Sequence, residues 1–132
     1  MSDGPRLLTT HEQRERLHTA RRRGGLCAAC GRALEAGEPV YMERLVIAIP
    51  RPAGERVGGY RATMVAPVGV ECASPAFLTR VEEREPERCA GCDRPVYYSA
   101  GHPDRQQALC SRACRSRAAN AARHATRERD SQ

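Results

Sequence analysis

The chain has 132 residues, a formal net charge of +6, four tyrosines, one phenylalanine and no tryptophan. So few aromatic side chains exclude a core held by apolar burial alone, and units below about 40 residues need a metal, a disulfide or a partner to fold. No run approaches the ~20 apolar residues of a membrane span, and the first residues lack the apolar stretch of a signal peptide, so a cytoplasmic protein is expected.

All 22 basic residues are arginine. A genomic bias towards G- and C-rich codons is one reading of the choice of arginine over lysine, but it does not explain where the charge falls. Residues 110–127 carry Arg112, Arg115, Arg117, Arg123 and Arg127 without an acid, whereas residues 81–88 carry Glu82, Glu83, Glu85 and Glu87. A local basic face meets phosphate or an acidic protein surface. Seven cysteines in a reducing compartment point to metal rather than disulfides.

In chain order, residues 1–8 read as a loose tail. A helix follows from Thr10, which stands three residues before Gln13 in the spacing of a capping box, and Gly24-Gly25 ends it. "CAACG" places Gly31 after Cys30, where the tight turn of a zinc knuckle favours glycine. Residues 39–49 and 60–68 read as two strands joined by a loop, and "ECASPAFLTRVEER" as a short helix with Pro75 in its first turn. A second knuckle, "CAGC", precedes a strand at 95–98, a turn at "SAGHPD" and a return strand at 106–109. Cys110 then opens a terminal helix reaching about residue 127. The order of knuckle, hairpin and helix occurs twice, which reads as a diverged repeat of architecture. The resulting division is 1–26 tail and helix, 27–80 first unit, 81–88 acidic linker and 89–132 second unit.

The second cysteine set carries the strongest signal. Cys89 and Cys92 are separated by two residues, Cys110 and Cys114 by three, and seventeen residues lie between the pairs. A knuckle presents two thiolates on one side, and the first turn of a helix presents two more because positions i and i+4 share a face. Four thiolates suit tetrahedral Zn2+, whose binding energy of about 10–16 kcal/mol folds a unit of this size. Buried free thiols or an iron–sulfur cluster are the alternatives.

The segment "LCSRACRSRAANAAR" after "CAGC" resembles treble-clef zinc fingers of the MYM/FCS type, with a Cys-Ser-x-x-Cys-Arg helix start. The likeness covers residues 88–127 and departs from the pattern at Leu109, where an aromatic residue is common, and in the longer spacing from Cys110 to Cys114. It implies Cys89, Cys92, Cys110 and Cys114 as ligands and nucleic-acid or protein binding as the use. The fold expected is a small zinc-stabilised α+β protein of two treble-clef-like units, with an N-terminal helix and a long basic C-terminal helix.

The first set holds Cys27, Cys30 and Cys72 but lacks a fourth ligand, because Gly69 stands where a second Cys-x-x-Cys would begin. A histidine from the first helix, His18 ahead of His11, completes the site in the reading preferred here. Water or Glu71 in the fourth position, or no metal at all, are the others. His102 and His124 read as surface residues. No metalloprotease or deaminase motif accompanies the cysteines, so no catalysis is expected.

On the terminal helix Arg112, Arg115, Arg123 and Arg127 fall broadly on one side, with Arg117 off it. Arg21, Arg22 and Arg23 form a second basic cluster beside the first knuckle, and a shared face would favour phosphate. DNA or RNA bound mainly through its backbone is the expected partner. An acidic protein surface and a redox-sensing zinc switch are the rival classes.

Overall fold

The computed structural model describes residues 6–49, 59–98 and 108–130. It is a small α+β protein with three helices and one five-stranded sheet. The strands are β1 (Arg6–Leu8), β2 (Val40–Ile49), β3 (Tyr60–Val68), β4 (Glu87–Arg88) and β5 (Pro95–Tyr98). The helices are α1 (His11–Arg23), α2 (Pro75–Val81) and α3 (Arg112–Asp130).

Strand β2 organises the sheet. Antiparallel β3 lies along one edge, in register from Tyr41 opposite Val68 to Ile49 opposite Tyr60. The other edge is shared: β5 pairs in parallel with Val40–Met42, and β1 in parallel with Leu45–Ile47. Every residue of β1 and β3 thereby finds its ladder partner on β2, and Leu45, Val40 and Val68 lie fully buried in the core. Phe77 packs edge-on against Tyr41 at 5.7 Å, and Tyr41 stacks on Tyr97 at 5.0 Å. Strands from both expected units thus lie in one sheet.

Local signals explain the helix starts. Thr10 accepts from the Gln13 N–H at 3.1 Å while the Gln13 side chain accepts from the Thr10 N–H at 3.0 Å, a complete capping box. Ser74 caps α2, with Pro75 in its first turn, and the Ser74 N–H donates to the Glu43 carboxylate at 2.9 Å. Helix α1 buries only Leu17 and Ala20, a narrow stripe.

Three expectations need correction. The supposed tail contains β1: a three-residue strand has too few positions to show periodicity, and it exists because β2 offers it an edge and Leu8 a buried place. Of the return strand expected at 106–109 only Ala108 and Leu109 are described, and Ala108 bridges Cys89 rather than β5, whose Val96–Tyr98 pair with β2 and whose Pro95 and Val96 pair with β4. Helix α3 begins at Arg112, not at Cys110. Ser111 is its cap, accepting from the Cys114 N–H at 3.2 Å. The loop expected between β2 and β3, the turn at 99–104 and His102 lie almost wholly outside the described residues.

Candidate metal centres and basic cleft

Cys89, Cys92, Cys110 and Cys114 bring their sulfurs within 4.8 Å of one another. Cys110 Sγ lies 3.7 Å from Cys89 Sγ, 3.7 Å from Cys92 Sγ and 3.5 Å from Cys114 Sγ. Zinc–sulfur bonds of about 2.3 Å at tetrahedral angles require an edge of about 3.8 Å. A disulfide would require about 2.05 Å. The spacing therefore suits a tetrahedral cation and not oxidised pairs.

Only Cys114 sits within the helix. Cys110 precedes the cap, so the spacing of four is satisfied by one residue before the cap and one in the first turn, rather than by two on one helical face. Protonation chemistry agrees with a cation. Burial pushes the Cys110 thiol well up, helped by the neighbouring thiols, and burial likewise raises Cys114. Burial opposes ionisation of Cys89 too, but backbone N–H donors from Cys110, Gly91 and Cys92 outweigh it and bring that thiol down to about 7. Four crowded sulfurs cannot all shed protons until positive charge arrives among them.

Gly91 is a requirement of this site that composition did not expose. A Cβ there would lie 2.5 Å from Cys114 Cβ and 2.5 Å from the Cys114 carbonyl oxygen. The knuckle rests directly on the first turn of α3.

Cys27, Cys30 and Cys72 form the second group with sulfurs within 4.8 Å of one another. Burial pushes Cys72 up to about 11, with the Cys30 and Cys27 thiols adding to it. Among the described residues no imidazole or carboxylate joins this group. His18 is exposed on α1, and Glu71 is held by the Arg32 guanidinium. His11, not His18, shares a surface depression with Cys30.

The two knuckles repeat each other bond for bond. Cys27 N–H donates to the Arg32 carbonyl at 2.9 Å and Gly31 N–H to the Cys27 carbonyl at 2.8 Å. Cys89 N–H donates to the Arg94 carbonyl at 2.9 Å and Asp93 N–H to the Cys89 carbonyl at 2.8 Å. Gly31 has φ 80° and Asp93 φ 62°, so the turn after each second cysteine is left-handed. Ala28 and Ala90 donate to Pro67 and Ala108 respectively, at 2.8 and 2.9 Å. Two residues further on, Gly69 and Cys110 each aim an N–H at the first sulfur of their knuckle. Gly69 is thus the structural counterpart of the ligand Cys110. The first unit has a three-sulfur set because its fourth position is a glycine.

Comparison with protein-family models, curated proteins and solved structures yields no match. The metal-binding assignment therefore stands on this chain's own geometry. Two cysteine clusters are close enough to bind metal ions, and the donor chemistry favours zinc. No described helix is long and apolar enough to cross a membrane.

The basic residues converge. Gly24, at the end of α1, packs so tightly on Ser111 that a Cβ would meet Ser111 Oγ at 2.8 Å. The α1 terminus is thereby pressed against the start of α3. Arg22 and Arg23 line one cleft with Arg112 and Arg117, while Arg21 lines a neighbouring one with Arg112 and Arg115. Arg117 is about 140° round the helix from Arg112 at 100° per residue, yet α1 draws both into one cleft. The Arg21 guanidinium is pushed below its ordinary value by burial and by Arg112. Among the described residues no carboxylate pairs with Arg21, Arg22, Arg23, Arg112, Arg115 or Arg117. Arg123 and Arg127 lie further along α3, in a separate shallow depression. Tyr97 is stacked on Tyr41, and the Tyr98 hydroxyl is bonded to Leu109 at 3.1 Å, so neither is an unengaged ring.

Proposed function

We propose that this protein is a non-catalytic zinc-stabilised module, built on two treble-clef-like units, that binds DNA or RNA through the phosphate backbone. The observation that supports this most is the meeting of Arg21–Arg23 with Arg112, Arg115 and Arg117 in adjoining clefts without a carboxylate partner. Clustered guanidiniums repel unless anions lie among them, and phosphate offers each a bidentate partner.

One competing sink for this charge lies inside the protein. Zinc held by four thiolates keeps a double negative charge, and Arg117 Nη1 approaches Cys114 Sγ at 3.9 Å. That site offsets two guanidiniums. Six converge, so a surplus of positive charge faces solvent. The engaged tyrosines favour backbone contact over base stacking.

Fluorescence anisotropy with labelled duplex and single strands, at increasing salt, tests the reading. Affinity should fall linearly in log–log form, by about 0.9 per phosphate for B-DNA and about 0.7 for single strands. Arg22→Ala with Arg112→Ala should lower that slope by about 2 while the zinc content stays unchanged. Absence of binding to any strand at low salt, from zinc-loaded protein, removes the nucleic-acid reading and leaves an acidic protein surface as the partner of the cleft.

A further inference from the structure

We propose that the Cys27–Cys30–Cys72 site holds a thiophilic divalent ion whose fourth coordination position is open and takes an exogenous thiolate. This goes beyond the nucleic-acid reading and does not depend on it.

The repeat supplies the first argument. Gly69 reproduces the backbone role of Cys110, including the N–H aimed at the first knuckle sulfur, at 3.4 Å from Cys27 Sγ. It brings no side chain. The corner that Cys110 fills in one unit is therefore left without a ligand from the described residues in the other.

Neighbouring donors are otherwise committed or distant. Arg32 binds Glu71 through Nε and Glu38 through Nη2, the latter at 2.6 Å. That network lies beside Gly69: a Cβ built there would be 2.8 Å from Arg32 Nη2 and 3.0 Å from Glu71 Oε1. The guanidinium restrains Glu71, and among the described residues no imidazole or carboxylate joins the three sulfurs.

Access and donor softness supply the second argument. Cys30 is exposed and borders a surface depression of about 550 Å³ with His11, Glu12, Glu15, Arg16 and Gly31. Arg6 donates to the Cys72 carbonyl at 3.0 Å, and the Arg16 side chain lies 3.2 Å from where a Gly31 Cβ would be. Neither pairs with a carboxylate among the described residues. Three soft sulfurs on the ion favour a fourth soft sulfur over a harder imidazole or carboxylate. On binding, the thiol gives its proton to solvent and its sulfur replaces water on the metal. No electron changes hands.

The full chain loaded with Co(II) tests this, since thiolate-to-cobalt absorption reports the number of metal–sulfur bonds. Two ions per chain are expected, one saturated by four cysteines and one held by three. Titration with 2-mercaptoethanol should raise the charge-transfer band by about one seventh, as seven Co–S bonds become eight. It should shift the ligand-field bands of one ion and saturate at one thiol per chain. Imidazole at the same concentration should leave the bands in place. Gly69→Cys should show the eight-sulfur spectrum unaided and ignore added thiol; only the mobile ends of Arg32 and Glu71 must move to admit it. Binding of a single Co(II) per chain overturns the proposal. So do two ions with no response to thiol in the wild-type protein, whatever the variant does.

Discussion

Replacing Gly91 with alanine adds one methyl group between the second knuckle and helix α3. Its carbon would lie 2.5 Å from Cys114 Cβ, 2.5 Å from the Cys114 carbonyl oxygen and 2.6 Å from Cys114 Cα. Carbon contacts settle at about 3.5–4.0 Å, so the knuckle must retreat by about 1 Å. The obstacle is backbone and Cβ, which no rotamer change relieves. A tetrahedral site tolerates displacements of about 0.2 Å in its bond lengths, so the retreat separates Cys89 and Cys92 from Cys110 and Cys114. Overpacking of this kind costs about 1–3 kcal/mol, which corresponds to about 5–150-fold weaker zinc binding at 1.4 kcal/mol per tenfold. Competition with a chromogenic chelator measures that loss directly. Gly37→Ala is the matched control. Its φ of 79° disfavours alanine by about 1–2 kcal/mol, but nothing lies within 4 Å of its Cβ, so stability falls while the Co(II) ligand-field bands of the Cys89–Cys114 site stay those of the wild type, whereas Gly91→Ala shifts them. A Gly91→Ala protein with wild-type zinc affinity would refute the close-contact argument.

Exhaustive chelation should abolish the native fold, since few large apolar side chains remain to hold it; loss of near-ultraviolet dichroism and of amide dispersion is the expected result. Thr10→Ala removes half of the capping box and should lower stability by about 1 kcal/mol, read as an earlier midpoint in urea without loss of zinc. The hydrogen bonds and charge of Arg32 hold the Glu38 carboxyl down to about 2, against an ordinary value of 4.5. Because the folded value is the lower one, its stabilising contribution is complete above 4.5 and vanishes as pH falls through 2. Carboxylate NMR should show that midpoint near 2 in the wild type and back towards 4.5 in Arg32→Gln.

Much of the local structure was legible because its signals are local. Thr10 with Gln13, Pro75 after Ser74, and Gly31 after Cys30 each specify a turn or cap through atoms a few residues apart. The four-cysteine set was legible for the same reason, since ligand spacing reflects knuckle and cap geometry. What escaped depends on distant partners. Strand β1 requires the free edge of β2, and β5 lies beside Val40–Met42 although nothing in "PVYY" names that neighbour. The preference for His18 failed because helical proximity in sequence says nothing about which way an exposed ring points, and that ring lies outside the sulfur group. Arg117 seemed misplaced on its own helix and became part of a cleft only when α1 was set beside it.

Arg94 is 8% exposed, and its guanidinium donates to the carbonyls of Glu35 and Glu38, at 3.0 and 2.7 Å. Its own carbonyl closes the knuckle of Cys89. A residue from one metal unit is therefore stitched into the other, beside the parallel seam of β2 and β5. Loading either centre with an ion should stiffen a scaffold that the other also uses, and cooperative uptake of two Co(II) ions in a titration is the expected result. By thermodynamic reciprocity, stripping one centre loosens the grip of its neighbour to the same degree.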